Sequence, residues 1–510
     1  MIHKVLYLLI SPPAMKLKIL LILLCLSIAF SACVHKTAPS PVISQGSYPP
    51  AIATIMVTKC AIAGCHNQAS YCNADSLLLD SWEHLFKGDN SGAVVIPYSP
   101  AYSTLLYYVN TDPNHGIAYQ PLMPYSTANR PLTALTTSEY DTLVDWIKNG
   151  APDNNGNIAF ASDPDTRQKS YLIHGDCDKI IAVIDSKTGL AMRIIPTGDE
   201  LYGEAGHGIR FSPDGMYAYA SLINCKYLEK IDARTDQIIA QLDLSNYTGR
   251  TNQLADIKVS PDGNKLLITD LTGFGYAILV NTQTMTVNTV WSSLINPHGV
   301  AANATFDTFF VTAQYGNAVY ILFNGGSKAI NIRDTGKTII GQNIDNNLPN
   351  PHDIIMSPDY SKLFVTCQTQ NRIQVFDAYT HTIIDSILVG GYPQDMSISL
   401  THQYLFVTCM RDDAVGGGLG SVYVINYNTR QIVKVIYDQF YAPHGITVDD
   451  KDGLVYIAST NNGGVSHHLT YCGSPNGWYN AYDLNTLQPA MSNKRFDIFS
   501  FPYAMDTRFK

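Results

Sequence analysis

The heptapeptide Cys60-Ala-Ile-Ala-Gly-Cys65-His66 sets two thiols and an imidazole where they can act together. Two cysteines this close can add to the two vinyl groups of a haem, and a histidine directly after the second falls under the iron as a proximal ligand. The common spacing for this chemistry is C-x-x-C-H, whereas four residues intervene here. Gly64 helps the longer loop to turn, but each added residue makes the string less specific. A thioether suited to the far side of the iron stands in Pro121-Leu122-Met123-Pro124, a loop constrained by its prolines. Met/His ligation raises the iron's reduction potential and blocks its open position, which suits electron transfer rather than oxygen chemistry. A core methionine is the ordinary alternative for Met123. His84 and His115 are rival ligands that read equally well as surface histidines, and Cys72 either competes for the haem or enters a disulfide.

A second group of imidazoles recurs with a long period. Units begin at His207-Gly-Ile-Arg-Phe-Ser-Pro-Asp-Gly, Ala255-Asp-Ile-Lys-Val-Ser-Pro-Asp-Gly, Pro297-His298-Gly-Val, Pro351-His352-Asp-Ile, Pro393-Gln394-Asp-Met and Pro443-His444-Gly-Ile. Their aligned starts lie 42 to 54 residues apart, which is the period of β-propeller blades. Within a unit, a Pro-Asp-Gly turn separates strands that alternate with period two, such as Lys362-Leu-Phe-Val-Thr and Ile373-Gln-Val-Phe-Asp. Pro502-Tyr503-Ala504-Met505 has the pattern of a seventh start near the end of the chain, and Tyr171–Pro196 supplies strands that lack an inner member. The expectation is seven blades, closed by the N- and C-terminal strands so that no sheet edge stays open.

If each start marks an inner strand, His207, His298, His352 and His444 face one hub, with Ala255, Gln394 and Tyr503 at the other three positions. His174, His467 and His468 fall on the same side. Imidazole clusters bind copper, zinc or iron. The alternative is structural: each histidine hydrogen-bonds a neighbouring blade, and the four need not converge.

Two segments must hold the thiol–imidazole motif. Ile52, Ile55 and Met56 share one face of a short helix running from Pro50 into it. Thr136-x-x-Glu139 reads as a capping box opening a helix through Leu143, Trp146 and Ile147, which Gly150 stops. Helix, motif, Met-Pro loop and final helix is the order of a class I cytochrome c. Val94-Val-Ile-Pro-Tyr-Ser-Pro-Ala-Tyr-Ser-Thr-Leu-Leu, Met123-Pro and Asp145-Trp-Ile-Lys-Asn-Gly-Ala resemble c-type cytochrome domains of environmental bacteria, over about a fifth of the chain. That resemblance implies one haem c on Cys60 and Cys65, with His66 and Met123 as axial ligands. The Val/Ile-Asp-x-x-Thr pieces and Leu-Phe-Val-Thr strands resemble YVTN/YncE-like propeller repeats over about two thirds of the chain. The order haem c then propeller is also that of the cytochrome cd1 nitrite reductases, which have eight blades and a second haem.

The N-terminus reads as an address. Met15-Lys-Leu-Lys, the apolar run Ile19–Phe30, and then Ser31-Ala32-Cys33 form the basic, apolar and small-residue regions of a signal peptide, with Met15 as the better start. Phe30-Ser31-Ala32-Cys33 resembles a bacterial lipobox, which implies lipidation of Cys33; an ordinary cleaved signal with a chance cysteine is the alternative. The expected organisation is signal 1–33, Pro/Ser-rich tether 34–47, an all-α cytochrome c domain 48–152, a polar linker 153–168 and an all-β propeller 169–510. Cys367 and Cys409 read as small buried residues, and Cys177, Cys225 and Cys472 as disulfide candidates among themselves or with Cys72.

Composition narrows the functions. Of 510 residues 46% are hydrophobic and 15% charged, which excludes a disordered chain, and the net charge of −9 excludes a nucleic-acid binder that works by phosphate neutralisation. No nucleophile–base–acid set stands out, and Asp214, Asp262 and Asp359 are explained by turn chemistry. Three readings follow. The first is an envelope-anchored, periplasm-facing mono-haem electron carrier whose propeller docks a redox partner or substrate. The second is an oxidoreductase with a metal or substrate in a histidine-lined hub fed by the haem. The third is a non-redox surface binding propeller.

Overall fold

The computed structural model describes residues 46–161, 163–175, 178–199, 204–250, 252–333, 347–461, 476–491 and 495–509. The described residues are mostly β. Their α-helices are α1 (Pro50–Ile55), α2 (Trp82–Leu85), α3 (Thr104–Val109), α4 (Thr137–Lys148) and α5 (Ser245–Thr248).

Only α4, at 12 residues, is long enough to be more than a local turn. Its capping box is formed on both sides, Thr136 and Glu139 each accepting from the other's backbone N–H. Leu143, Trp146 and Ile147 form its buried face, and Gly150 lies past its end at φ +93°. α1 runs into a π-turn, Met56–Cys60, that carries the first cysteine. Lys59 Nζ lies 2.6 Å from Glu139 Oε1, tying that turn to the start of α4. One apolar core gathers Ile52, Met56, Cys60, Leu79, Leu106 and Trp146 from these pieces, with Met123 packed against it.

The strands are antiparallel and sort into several separate curled sheets. Four-stranded sheets follow in sequence order from Pro297, Pro351, Gly391 and Pro443, and in each the first strand is innermost. Another holds Lys169–His174, Ile180–Asp185 and Ala191–Pro196, with the last strand, Pro502–Thr507, as its fourth member. Innermost strands of successive sheets lie side by side. The helical segment packs against this body: Ile96 joins the core with Leu172 and Phe496, the rings of Tyr102 and Phe499 lie 4.7 Å apart, and Asp497 N donates to Ser91 O at 2.7 Å.

The sequence-based fold class, a small all-α cytochrome c domain followed by a seven-bladed propeller closed by the N- and C-terminal strands, needs correction. Residues 46–161 form no substantial all-α domain: helices of six, four, six and 12 residues are separated by turns and extended chain. Nine prolines fall in this stretch, and proline ends helices by removing an N–H and crowding the preceding turn. Nor do the sheets form a closed propeller. Two of the expected sheets are joined into an eight-stranded one, because the long strand Tyr217–Cys225 runs on to pair through Ile223 and Cys225 with Gln253 and Asn252. The chain is mostly β, with curled sheets compatible with a β-propeller.

Candidate functional site

Two places bring reactive side chains together. The first is the Cys60–His66 turn, where His66 N donates to Cys60 O at 3.2 Å and Cys65 N to Ile62 O at 3.0 Å. Gly64 sits at φ +75°, a conformation that side chains with a Cβ resist. The imidazole of His66 is fixed by Nδ1–H donating to Leu77 O at 3.0 Å, which leaves Nε2 as the nitrogen able to bind a metal. Burial lowers the His66 pKa, favouring the neutral ring that a metal requires. Cys60 is buried and Cys65 half-buried, and neither is in a disulfide. Burial, with the Cys65 charge second, pushes the Cys60 thiol up to about 12, so in the folded chain it is a poor nucleophile. Arg130 Nη2 lies 2.8 Å from Cys65 Sγ.

These three side chains are not among the groups of described residues that converge on a point an ion could fill. Spread-out thioether positions beside a histidine with one committed nitrogen fit a macrocycle better than a single ion. Met123 is half-buried on the same core as Cys60, its N–H donating to Tyr108 O at 2.7 Å. The rival ligands are otherwise engaged. His84 Nδ1 lies 2.6 Å from Asp80 Oδ1, and the exposed His115 stacks on Tyr140 with centroids 6.2 Å apart. Cys72 is exposed on a short 3-10 turn.

The second place is the hub, and here the structure brings together all four sequence-predicted histidines. Ring centroids run His207–His298 5.0 Å, His298–His352 4.2 Å, His352–His444 5.4 Å, His444–Tyr503 4.0 Å and Tyr503–His207 4.9 Å. The five side chains form one closed circle, each at most 5% exposed. Backbone irregularity makes this possible. In the strands from Pro297, Pro351, Pro393 and Pro443, the register shifts over the next two residues, so that three steps on one strand match two on its partner. Such bulges re-aim side chains at a strand end.

Hydroxyls from the second strands hold the bulges. Thr269, Thr312 and Thr408 donate to the carbonyls of His298, His352 and His444 at 2.6, 2.8 and 2.7 Å. Thr312 and Thr408 belong to the recurrent Val-Thr strand ends. Gly299 and Gly445 follow their histidines because a Cβ there would meet His352 O at 2.5 Å and Tyr503 O at 2.4 Å.

The other predicted hub positions divide. Gln394 is turned to Gln368, whose Nε2 donates to it at 3.1 Å, and Ala255 offers only a carbonyl, accepting from Ser221. His174 stands apart with Nδ1 2.6 Å from Ser500 O. His467, His468, Cys177, Cys472 and Cys33 lie outside the described residues. Cys225, Cys367 and Cys409 are buried and unbridged.

Sequence reasoning missed the carboxylates behind the histidines: Asp256, Asp353, Asp395 and Asp506, with the single guanidinium of Arg210. Asp256 pairs with Arg210 at 2.8 Å and accepts from Val300 N at 3.2 Å; Asp353 accepts from Met396 N at 2.8 Å, and Asp506 from Phe211 N at 2.7 Å. These three acids therefore staple one inner strand to the next. Burial, with Asp395 and Asp256 adding like charge, raises Asp353 to about 8, and burial also raises Asp256. Desolvation opposes the charge of Arg210, but Asp256 and Asp506 outweigh it and raise its pKa. Burial holds His298 neutral at about 4. Asp395 faces the imidazoles instead, with Oδ2 3.3 Å from His444 Nδ1 and Oδ1 3.8 Å from His352 Nδ1.

No protein-family model matches the chain, and no curated protein does. Among solved structures it is similar to hydrazine synthase from Kuenenia stuttgartiensis, at 14% identity over 60% of this chain and 90% of that one, with a TM-score of 0.44. It is also similar to a functionally unknown protein from Desulfotomaculum acetoxidans DSM 771, at 12% identity over 66% of this chain and 99% of that one, with a TM-score of 0.47.

Proposed function

We propose that the chain is an exported, envelope-anchored electron-transfer protein that carries one covalent haem on Cys60 and Cys65, and whose β-rich part docks a redox partner. The observation that carries this reading is the bond from His66 Nδ1–H to Leu77 O at 3.0 Å, which orients the ring and reserves Nε2 for iron. When bound, the haem supplies one-electron redox chemistry. Met123, on the same core as Cys60, is the residue placed to close the second axial position, which favours electron transfer over substrate binding at iron. The surrounding apolar side chains, Ile52, Leu79 and Leu106 among them, exclude water and so favour the less charged ferrous state. Cys33, in the lipobox-like string, is the proposed anchor point.

The test is expression from Met15 in a host with haem-attachment machinery, followed by a pyridine haemochrome spectrum of the denatured chain. One covalent haem per chain is expected, lost when Cys60 and Cys65 are both replaced by serine. His66→Ala should keep residual attachment but change the iron's spin state, and Met123→Ala should lower the reduction potential. A wild-type chain without covalent haem from such a host overturns this function and leaves a non-redox binding protein.

A further inference from the structure

We propose that His352, Asp395 and His444 bind a single divalent transition-metal ion at the hub. Their candidate ligand atoms all lie within 4.8 Å of one another, and among the described residues this is the one group of three or more such side chains that converges so closely. The measured pairs are 3.3 Å from Asp395 to His444 and 3.8 Å from Asp395 to His352. Ligands on one zinc ion with bonds of about 2.0–2.2 Å stand roughly 3–4 Å apart, so the site needs little closure. Two imidazoles and one carboxylate suit zinc, iron or copper rather than magnesium or calcium, which take oxygen donors.

Three independent features support an ion here. The first is rigidity. His352 and His444 sit on bulges whose carbonyls are clamped by Thr312 and Thr408, and Asp395 N is held by Thr408 Oγ1 at 3.2 Å. Ligands fixed by outer contacts give up little freedom on binding. The second is charge. Asp256, Asp353, Asp395 and Asp506 surround one Arg210, so the hub holds more carboxylates than its cation can balance, and a bound cation relieves that excess. The third is access. A cavity of about 360 Å³ lined by Asp256, Asp353, Asp395, Asp450 and Asp506 reaches the hub from the side of the turns at Pro261 and Pro358. An acid-lined cleft draws cations inward.

The set differs from the four histidines expected from the repeat. His207 and His298 become walls of the site, and Asp395 the third ligand. Three protein ligands are the count of an open site, which keeps a coordination position for water or a small molecule.

The experiment uses the full haem-loaded chain, dialysed against a chelator and titrated calorimetrically with Zn2+. One equivalent is expected, with affinity falling roughly a hundredfold or more in His352→Gln and Asp395→Asn while haem content stays at wild-type level. The Cys60→Ser/Cys65→Ser double variant should still take up the ion, which separates this site from the haem motif. No stoichiometric binding, undiminished binding in the hub variants, or loss of binding in the cysteine variant overturns the proposal. Zinc-edge X-ray absorption on the wild type decides even where a hub variant fails to fold: nitrogen and oxygen scatterers with imidazole features are expected, and sulfur in the first shell refutes the site.

Discussion

Glu229 shows what burial does to a single carboxyl. It is fully buried in the strand Tyr227–Asp232, accepting from Gly198 N at 3.0 Å and Gln241 Nε2 at 2.9 Å, with Glu204 and Asp199 adding negative charge and Lys179 committed to Glu204. Burial is the largest influence and raises its pKa from 4.5 to about 7. The folded chain therefore holds this proton more tightly than the unfolded chain, and stability from this group falls as pH rises from about 4.5 to 7. In Glu229→Gln that loss disappears. Urea unfolding should find the variant gaining on the wild type between pH 5 and pH 8 by on the order of 2–3 kcal/mol; a difference that stays flat with pH would refute the assignment. The hub carboxylates teach a related lesson about what a sequence discloses. The histidines were legible because they repeat at blade spacing. Asp353 and Asp395 were not, because in a regular strand the residue after an inward one faces away. Only the bulges at Pro351–Ile354 and Pro393–Met396 break that rule and bring both neighbours to the hub. The recurrence of Asp or Gly after each hub position was the available signal.

At the scale of elements, α4 holds the Cys60 turn in place through Glu139, which serves the cap and Lys59 at once. Thr136→Ala removes the hydroxyl that accepts from Glu139 N and should cost about 1 kcal/mol, whereas Thr136→Ser should restore nearly all of it. Thermal unfolding of the haem-free chain followed by Trp146 fluorescence checks this, and equal melting of the alanine and serine variants would dismiss the cap. This helix was readable because a capping box, an apolar face and a terminal glycine agree over 12 residues. Its neighbour was readable only in part. The apolar spacing of Ile52, Ile55 and Met56 gives a helix, yet nothing in it distinguishes an α-turn from the π-turn at Met56–Cys60. Among the sheets, alternation revealed the strands but not their partners. Tyr217–Cys225 runs two residues past its pairing with Tyr227–Asp232, and those residues, Asn224 and buried Cys225, take it to the next inner strand. Pairing of that kind depends on which edge lies nearby, a property of the assembled sheets rather than of local pattern.

On the scale of the whole molecule, the last residues join distant parts of the chain. Pro502–Thr507 pairs with Lys169–His174 in antiparallel register, and Ser170 Oγ lies 2.8 Å from Thr507 Oγ1. Arg508 then locks the seam. It is fully buried, and its guanidinium donates to Gly215 O at 2.6 Å, Pro164 O at 2.8 Å and Asp165 O at 2.9 Å. The stretch between the helical segment and the first sheet is thus bound to the C-terminal strand and cannot act as a free tether. Charge-assisted bonds of this kind contribute about 1.5–3 kcal/mol each when a partner is removed, though not additively. Arg508→Ala should therefore lower stability by roughly 2–4 kcal/mol while leaving a folded chain, since the strand pairing is untouched. Ending the chain at Ser500 is a different injury. It uncovers the edge of Lys169–His174, a strand buried along its whole length, and an open edge of that kind seeks other chains. It also removes Tyr503 from the circle of imidazoles, so His207 and His444 lose the ring between them. The shortened chain should aggregate at concentrations where Arg508→Ala stays monomeric by size-exclusion light scattering. Monomeric, cooperatively unfolding protein from the shortened chain would show that the first sheet stands without its last strand.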